Sequence, residues 1–487
     1  MIERRRLPSA SYCSPVEDEH WSRCLFAEQP VVIIGGNRDA TQIARHVANK
    51  LPGASPFFVM DMPSVMARVD DWQERLPRVQ AYYALRCNAD PVLARMLADS
   101  AQLGFAVSNA EELAMALELV SADRIIFDCP LWTRKIMKIA GEFEVGTIVI
   151  ENEKQLLDAI SYAPKARILI AISMNGHSDA DDSLTTEKGA DPEEVENLLM
   201  TAFEMRAKVV GMSFNLGAAT SACAYYKALH EVHELFMFAN RIGLQLDTIN
   251  LGGGFPASNI DKDQRFPEMC DVINTGLDQL FWSREFPKLK VVATPGRYFA
   301  AAAFVLCTNV IGKQALEARF ITKDDFDDGV GYVYQINDSI FGSFGCVLEN
   351  SHLECIPLED VADAPQHFGT VLGASLQPGD VAQSLIRCRQ LRVGDWLLWR
   401  DAGAYTMPLD AEHAAPPVYY FAGVDKWERI IGIHNKATGG AYATSANANN
   451  SSDTMDSASD GASDVESLDD DNEDLTECFD RVFYYSQ

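Results

Sequence analysis

The 487-residue chain carries 70 acidic against 41 basic residues, a net charge of −29, with 47% hydrophobic residues. Such a charge excludes nucleic acid or an anionic membrane as the natural partner. No apolar run approaches the ~20 residues needed to span a bilayer, and the 11 scattered cysteines, without a CxxC pair or metal-ligand spacing, point to a reduced, cytoplasmic protein.

The basic start, Met1-Ile-Glu-Arg-Arg-Arg, lacks the apolar stretch of a secretory signal. The first ~55 residues hold one strand-like run, Pro30–Ile34, and residues 1–56 are read as completing a β domain by a discontinuous connection. Residues 57–300 then alternate strand and helix. The predicted strands are Tyr82–Cys87, Gly104–Ser108, Arg124–Phe127, Thr147–Ile150, Arg167–Ser173, Val209–Phe214, Thr248–Leu251 and Lys288–Ala293. Between them Pro91–Gln102, Glu111–Val120, Lys154–Tyr162, Pro192–Met205 and Ala224–Ile242 carry apolar residues at three-to-four spacing, as helices packed on a sheet do. Strand then helix, repeated, predicts an α/β fold, a (β/α)8 TIM barrel.

After residue 300 the pattern changes. Phe304–Ile311, Tyr332–Ile336, His352–Ile356, Gln383–Cys388, Asp395–Trp399 and Pro417–Phe421 read as strands with little helix, so residues 301–433 form a mostly-β domain. Residues 434–487 are predicted to be a disordered acidic tail, because Ser451–Asp480 is crowded with Asp, Glu and Ser and has no Lys or Arg. Its aromatic end, Cys478-Phe-Asp-Arg-Val-Phe-Tyr-Tyr485, reads as a short docking motif.

Two glycine motifs sit where such a barrel holds a phosphate. Leu251-Gly-Gly-Gly-Phe-Pro256 follows the seventh predicted strand and Thr294-Pro-Gly-Arg-Tyr298 the eighth. Gly252, Gly253, Gly254 and Gly296 would let backbone N–H groups approach the oxygens, and Arg297 would add a charge-assisted hydrogen bond. Tight strand–helix turns without a ligand would use the same glycines.

From about Phe57 to Phe421 the chain resembles eukaryotic ornithine decarboxylases and their non-catalytic paralogue, the antizyme inhibitor. The landmarks are Ala81-Tyr-Tyr-Ala-Leu-Arg-Cys-Asn88, Gly211-Met-Ser-Phe-Asn-Leu-Gly217, the two glycine motifs, Phe341-Gly-Ser-Phe344, Gly394-Asp-Trp396 and Gly403-Ala-Tyr-Thr406. The resemblance implies an alanine-racemase-like barrel that binds pyridoxal 5′-phosphate (PLP), a β domain, and active sites at a dimer interface. It also implies a site stripped of its chemistry. Arg86 stands at the Schiff-base lysine, and a guanidinium, always charged and delocalised, cannot attack an aldehyde. Asn215 replaces the histidine stacked on the cofactor ring, Ala218 a phosphate-binding serine, and Thr294 the glutamate paired with the pyridinium nitrogen. Ala106 replaces an aspartate and Ala171 an arginine of the pocket. Leu376 replaces the cysteine that protonates the carbanion. Asn350 and Gln377 replace two aspartates that hold the distal ammonium of ornithine. The phosphate cradle remains: Gly252, Gly253, Gly254, Gly296, Arg297 and Tyr405. No covalent cofactor is expected; PLP or another phosphate ligand held non-covalently stays open.

Glu187 aligns with a lysine that bridges subunits in the family, and Asp380 with its partner, so two carboxylates would repel and a homodimer is doubtful; Lys188 next door could compensate. The segment Cys129–Asn152 overlies the family's antizyme-binding surface, with Arg134, Lys135 and Lys138 on a predicted helix, although a basic helix face is often only solvated surface. The first functional expectation is therefore a catalytically inactive, antizyme-inhibitor-like regulator of polyamine synthesis. The alternatives are a divergent PLP decarboxylase and a regulatory subunit paired with an active decarboxylase.

Overall fold

The computed structural model describes residues 14–16, 21–36, 38–50, 55–100, 103–174, 189–217, 221–256, 265–349, 353–359, 361, 363–375, 377–407 and 415–439. The predicted acidic tail from 440 onward lies outside them, as do Glu187, Lys188, Ala218, Asn350 and Leu376.

Eight parallel strands close into a barrel: Val79–Ala84, Gly104–Val107, Ile125–Phe127, Thr147–Ile150, Arg167–Ala171, Val209–Ser213, Thr248–Asn250 and Lys290–Ala293. The last pairs with the first, Val291 opposite Val79. The strands are short runs buried on both faces, since helices cover the outside and side chains fill the inside. Ile126, Val149, Leu169, Ala171, Val210 and Val292 pack together as the barrel's inner core. Local signals start the outer helices. Asp90 accepts the N–H groups of Val92 and Leu93 ahead of Pro91–Asp99, Asn109 caps Ala110–Leu119, Thr133 caps Arg134–Glu142, and Asn152 caps Glu153–Tyr162.

Among the described residues the second domain is built on an 11-stranded sheet. Its centre is Phe57–Asp61, flanked by the parallel strand Val418–Gly423 and the antiparallel strand Phe304–Glu317. Phe57–Asp61 therefore belongs to this sheet and not to the barrel: Phe57, Phe58, Val59 and Met60 are fully buried, which a central strand covered on both faces requires. The N-terminal part adds Trp21–Phe26 and Gln29–Ile34, with helix Ala40–Lys50 packed beneath. Helix Met62–Arg75 carries the chain from sheet to barrel.

Further elements differ from the sequence expectation, strand Trp21–Phe26 and helix Ala40–Lys50 among them. The first barrel strand ends at Ala84, not Cys87, because Leu85–Cys87 turns into a short 3₁₀ segment. Strand Gln366–Leu372 was not foreseen; it pairs with Val330–Ile336 and Val381–Arg389. Helix Val424–Thr438 runs through the predicted boundary at 433/434, since Trp427, Ile430, Ile431 and His434 bury one face. His434 Nδ1 lies 2.5 Å from Asp99 Oδ2 and docks that helix on Pro91–Asp99. Among the described residues no helix is long and apolar enough to cross a membrane.

Candidate functional site

A cavity opens at the C-terminal ends of the barrel strands, the end where such barrels carry their sites. Every strand contributes to it. The first strand and the turn after it supply Ala84 and Arg86, the second Ala106 and Ser108, the third Asp128, the fourth Val149, the fifth Ala171 and Ile172, and the sixth Ser213 and Asn215. The seventh strand and its loop supply Asn250, Gly252, Gly253 and Gly254, the loop after the eighth Thr294, Gly296 and Arg297, and Tyr405 closes the rim from the β domain. The sequence-predicted residues Arg86, Asn215, Gly252, Gly253, Gly254, Thr294, Gly296, Arg297 and Tyr405 are thus brought to one place, together with Ala106 and Ala171.

The shortened first strand puts Arg86 on a turn that the other domain holds. The Tyr405 N–H donates to Cys87 O at 2.9 Å, and Asn88 Nδ2 donates to Gly403 O at 2.9 Å. Tyr83, fully buried and with its phenol pushed well up by that burial, donates its hydroxyl to Asn88 O at 2.8 Å. Tyr420 Oη donates to Asp90 Oδ2 at 2.7 Å, and burial raises the Asp90 carboxyl above its ordinary value. Tyr405 holds a left-handed backbone, φ +56°, rare for a residue with a side chain. Its ring lies 5.7 Å from the Arg297 guanidinium carbon, within cation–π reach.

The glycines have a packing explanation of their own. Gly252 has φ +70°, and a Cβ there would collide with the carbonyl oxygen of Phe214. A Cβ on Gly296 would sit 2.7 Å from Cys87 Cβ. Neighbouring barrel loops need these positions bare whether or not an anion sits against them.

Thr294 is half-buried, and its N–H donates to Gly252 O at 2.7 Å, tying the seventh and eighth loops together. Asn215 is exposed and accepts the Gly217 N–H at 3.3 Å. Sequence reasoning passed over Ser108, Asp128, Ser213 and Asn250, which also line the cavity. Asn250 donates to Ser213 Oγ and accepts from the Gly252 N–H, each at 3.0 Å. All four lie at strand ends, which is the signal that finds them once the strands are placed. No lysine is among the described residues that line the cavity.

Gln377 is not part of this cavity; it is exposed on the β domain. Asp380 also lies outside this cavity. It is buried, and its carboxylate accepts the Ile340 N–H at 3.0 Å, the Ser375 N–H at 2.9 Å and the Ser375 hydroxyl at 2.5 Å. Arg134, Lys135 and Lys138 lie exposed on one face of helix Arg134–Glu142, whose Met137 and Ala140 face the core. Lys138 Nζ is 5.2 Å from the Tyr162 ring centre, Arg134 is 3.8 Å from Asp158, and Leu131 nearby is 74% exposed.

The parallel barrel joined to a mostly-β domain, with its cavity at the strand ends, is the alanine-racemase-like architecture of the PLP decarboxylases. The family described as "Pyridoxal-dependent decarboxylase, pyridoxal binding domain" matches residues 62–301. Ornithine decarboxylase of Caenorhabditis elegans is 31% identical over 417 residues, covering 83% of this chain and 97% of that one. Antizyme inhibitor 2 of Xenopus laevis is 29% identical over 381 residues, 77% of this chain and 82% of its own. Among solved structures, the Paramecium bursaria Chlorella virus arginine decarboxylase bound to agmatine superposes with a TM-score of 0.69 at 26% identity, covering 78% of this chain and all of that one. The chain belongs to the ornithine decarboxylase family.

Proposed function

We propose that this chain is a non-catalytic member of its family, a cytoplasmic regulator of polyamine synthesis that acts by binding antizyme. One observation carries the reading: the cavity that would hold PLP is lined by Arg86 and by no lysine among the described residues. Covalent PLP needs an unprotonated amine to condense with its aldehyde, and a guanidinium does not serve. The ring nitrogen also needs a partner that makes the ring an electron sink, and Thr294 offers only a hydroxyl after the eighth strand. The residues present do not fit a covalently held PLP.

The likeness to Xenopus antizyme inhibitor 2 supports the regulatory reading. So does the exposed basic face of Arg134, Lys135 and Lys138, which lies outside the cavity lining and beside exposed Leu131. The likeness to several ornithine decarboxylases favours an enzyme instead. Absorbance separates the two. The purified chain with added PLP is expected to show no borohydride-reducible aldimine band and to be retained by immobilised antizyme. A reducible band would sink the non-catalytic reading, and no retention would sink the antizyme one.

A further inference from the structure

The other end of the barrel, where the strands begin, carries a groove of its own. It encloses about 470 Å³ between the end of helix Met62–Arg75 and the starts of the first and second strands. Val69, Trp72, Leu76, Leu103 and Phe299 form its apolar wall, and Gln73, Arg78 and Gln80 stand exposed at its rim. Trp72 is fixed in that wall by its Nε1–H, which donates to Val79 O at 2.9 Å. The volume falls within the roughly 300–1,000 Å³ of pockets that take in apolar groups. None of the residues lining the cavity at the strand ends takes part in it.

The surface beside the groove is aromatic and basic. The Arg78 guanidinium donates to Asp278 Oδ1 at 2.7 Å and to Phe281 O at 3.4 Å, which holds the end of helix Arg265–Leu280 and the loop after it against the rim. That loop presents Trp282, 62% exposed, followed by exposed Arg284, Lys288 and Lys290, with Glu285 as the carboxylate among them. Lys290 opens the eighth strand, whose Val291 pairs with Val79 of the groove. In a chain of net charge −29, such a surface suits a segment that is itself acidic and aromatic.

One segment of this chain has that composition, and it starts close by. Helix Pro91–Asp99 joins the first barrel strand to the second, so it runs back from the barrel mouth to the strand starts. His434, near the end of helix Val424–Thr438, lies 2.5 Å from Asp99 at the close of that return. Leu103 of the groove wall follows at once, its N–H donating to Ser100 O at 3.1 Å. The chain therefore passes into residues 440–487 at the groove's end of the barrel. From Ser451 to Asp480 those residues are crowded with Asp and Glu and hold no Lys or Arg, and they close on Cys478-Phe-Asp-Arg-Val-Phe-Tyr-Tyr485. A flexible stretch of about 40 residues spans roughly 35 Å, which is ample for a groove at the same end of the barrel.

We infer that the aromatic end of this chain, Phe479–Tyr485, docks in cis into the groove walled by Trp72, Leu76 and Phe299, with the acidic residues ahead of it lying along Arg284, Lys288 and Lys290. Phe483, Tyr484 and Tyr485 supply the apolar area, and a tyrosine ring with its polar tip suits a groove that is apolar inside and wet at the rim. The acidic run orients the segment by charge complementarity. Docking keeps the C-terminus on the end of the barrel opposite the strand-end cavity, so any partner that reads the aromatic end competes with the groove for it.

The test uses the full chain and trypsin, because Arg481 is the one Lys or Arg in residues 440–487. Release of Val482–Gln487 is followed by mass spectrometry in the parent and in two triple variants. One carries Phe483→Ser, Tyr484→Ser and Tyr485→Ser; the other carries Arg284→Glu, Lys288→Glu and Lys290→Glu, all at exposed side chains. Each rate is divided by that of a synthetic peptide of the matching sequence from Asp470 to Gln487, which removes any change in trypsin's own preference. Far-UV circular dichroism confirms that both variants fold. At an effective concentration on the order of 1 mM, a segment with affinity on the order of 100 μM is docked in about ten chains of eleven. The parent is therefore expected to release the peptide about tenfold more slowly than its synthetic counterpart, and both variants are expected to lose most of that protection. Cleavage of the parent as fast as the free peptide, or unchanged protection in either variant, overturns the inference. Protection that grows with protein concentration places the segment on a second copy and overturns docking in cis.

Discussion

The backbone of Tyr405 is hydrogen-bonded to Cys87, N–H to O at 2.9 Å, so the residue after Arg86 is held by the opposite domain. The bond sits beside Asn88, which is buried, donates to Gly403 O at 2.9 Å and accepts the Asp90 N–H at 2.9 Å. Asn88→Ala leaves both backbone groups without that partner. The expected loss is about 1–3 kcal/mol, read as a lower denaturant midpoint. An unchanged midpoint would show that the turn is fixed by other contacts.

The retained glycines are expected to matter for folding before they matter for any ligand. Gly252→Ala puts a side chain on a residue at φ +70° and drives it into Phe214 O, so it should cost upwards of about 2 kcal/mol. Gly253→Ala meets only Thr294 O at 3.2 Å and should cost less. Equal stability of the two variants in phosphate-free buffer would contradict the packing explanation.

Much of the barrel was legible because its strands are runs buried on both faces, so hydrophobicity and length alone mark them; Thr147–Ile150 was read to the residue. The first strand was misplaced by the continuous run Ala81-Tyr-Tyr-Ala-Leu-Arg-Cys, which holds no turn residue. Its end is set by the tertiary bond from Tyr405, and no local signal reports that bond. The helix Val424–Thr438 was obscured by Gly432 and by the polar composition that follows. Arg86 and the glycine loops were found through flanking motifs, whereas Asp128 and Ser108 became visible only when strand ends were known. The role of Asp380 depends on Ile340 and Ser375 folding round it, which a chain read position by position does not reveal.

Restoring one letter should not restore an enzyme. Arg86→Lys returns an amine to the turn, but Thr294 still faces the cavity after the eighth strand and Asn215 after the sixth. A weaker electron sink raises the barrier to carbanion formation. Arg86→Lys with PLP is expected to release no measurable carbon dioxide from ornithine. Turnover by this variant would show that the remaining lining suffices.

Asp61 makes stability depend on pH. Burial, with a smaller push from the nearby charge of Asp39, raises its carboxyl from 3.8 to about 6. Folding thus favours the protonated form. The contribution is fully present below about 3.8, declines as pH rises, and is lost above about 6. A shift of this size corresponds to something on the order of 2–3 kcal/mol. Asp61→Asn removes the titration, so the variant should be more stable than the parent near neutral pH, and its unfolding free energy should vary less between acid and neutral conditions. A parallel pH profile for variant and parent would refute the assignment.

Arg134, Lys135 and Lys138 offer the partner test that leaves the fold alone. All three are exposed, and neither the Lys138–Tyr162 contact nor the long Arg134–Asp158 pair contributes much at a solvated surface. Reversing them to glutamate changes the local charge by six while Met137 and Ala140 keep the helix seated. Charges at the rim of an interface act mainly on association rate and salt dependence. The triple variant should therefore melt within about a degree or two of the parent, yet bind antizyme at least about tenfold more weakly, chiefly through slower association. Raising salt should reproduce the effect in the parent, since exposed charges more than about 8 Å apart are screened at physiological ionic strength. Unchanged association of the triple variant would place the docking surface elsewhere on the chain.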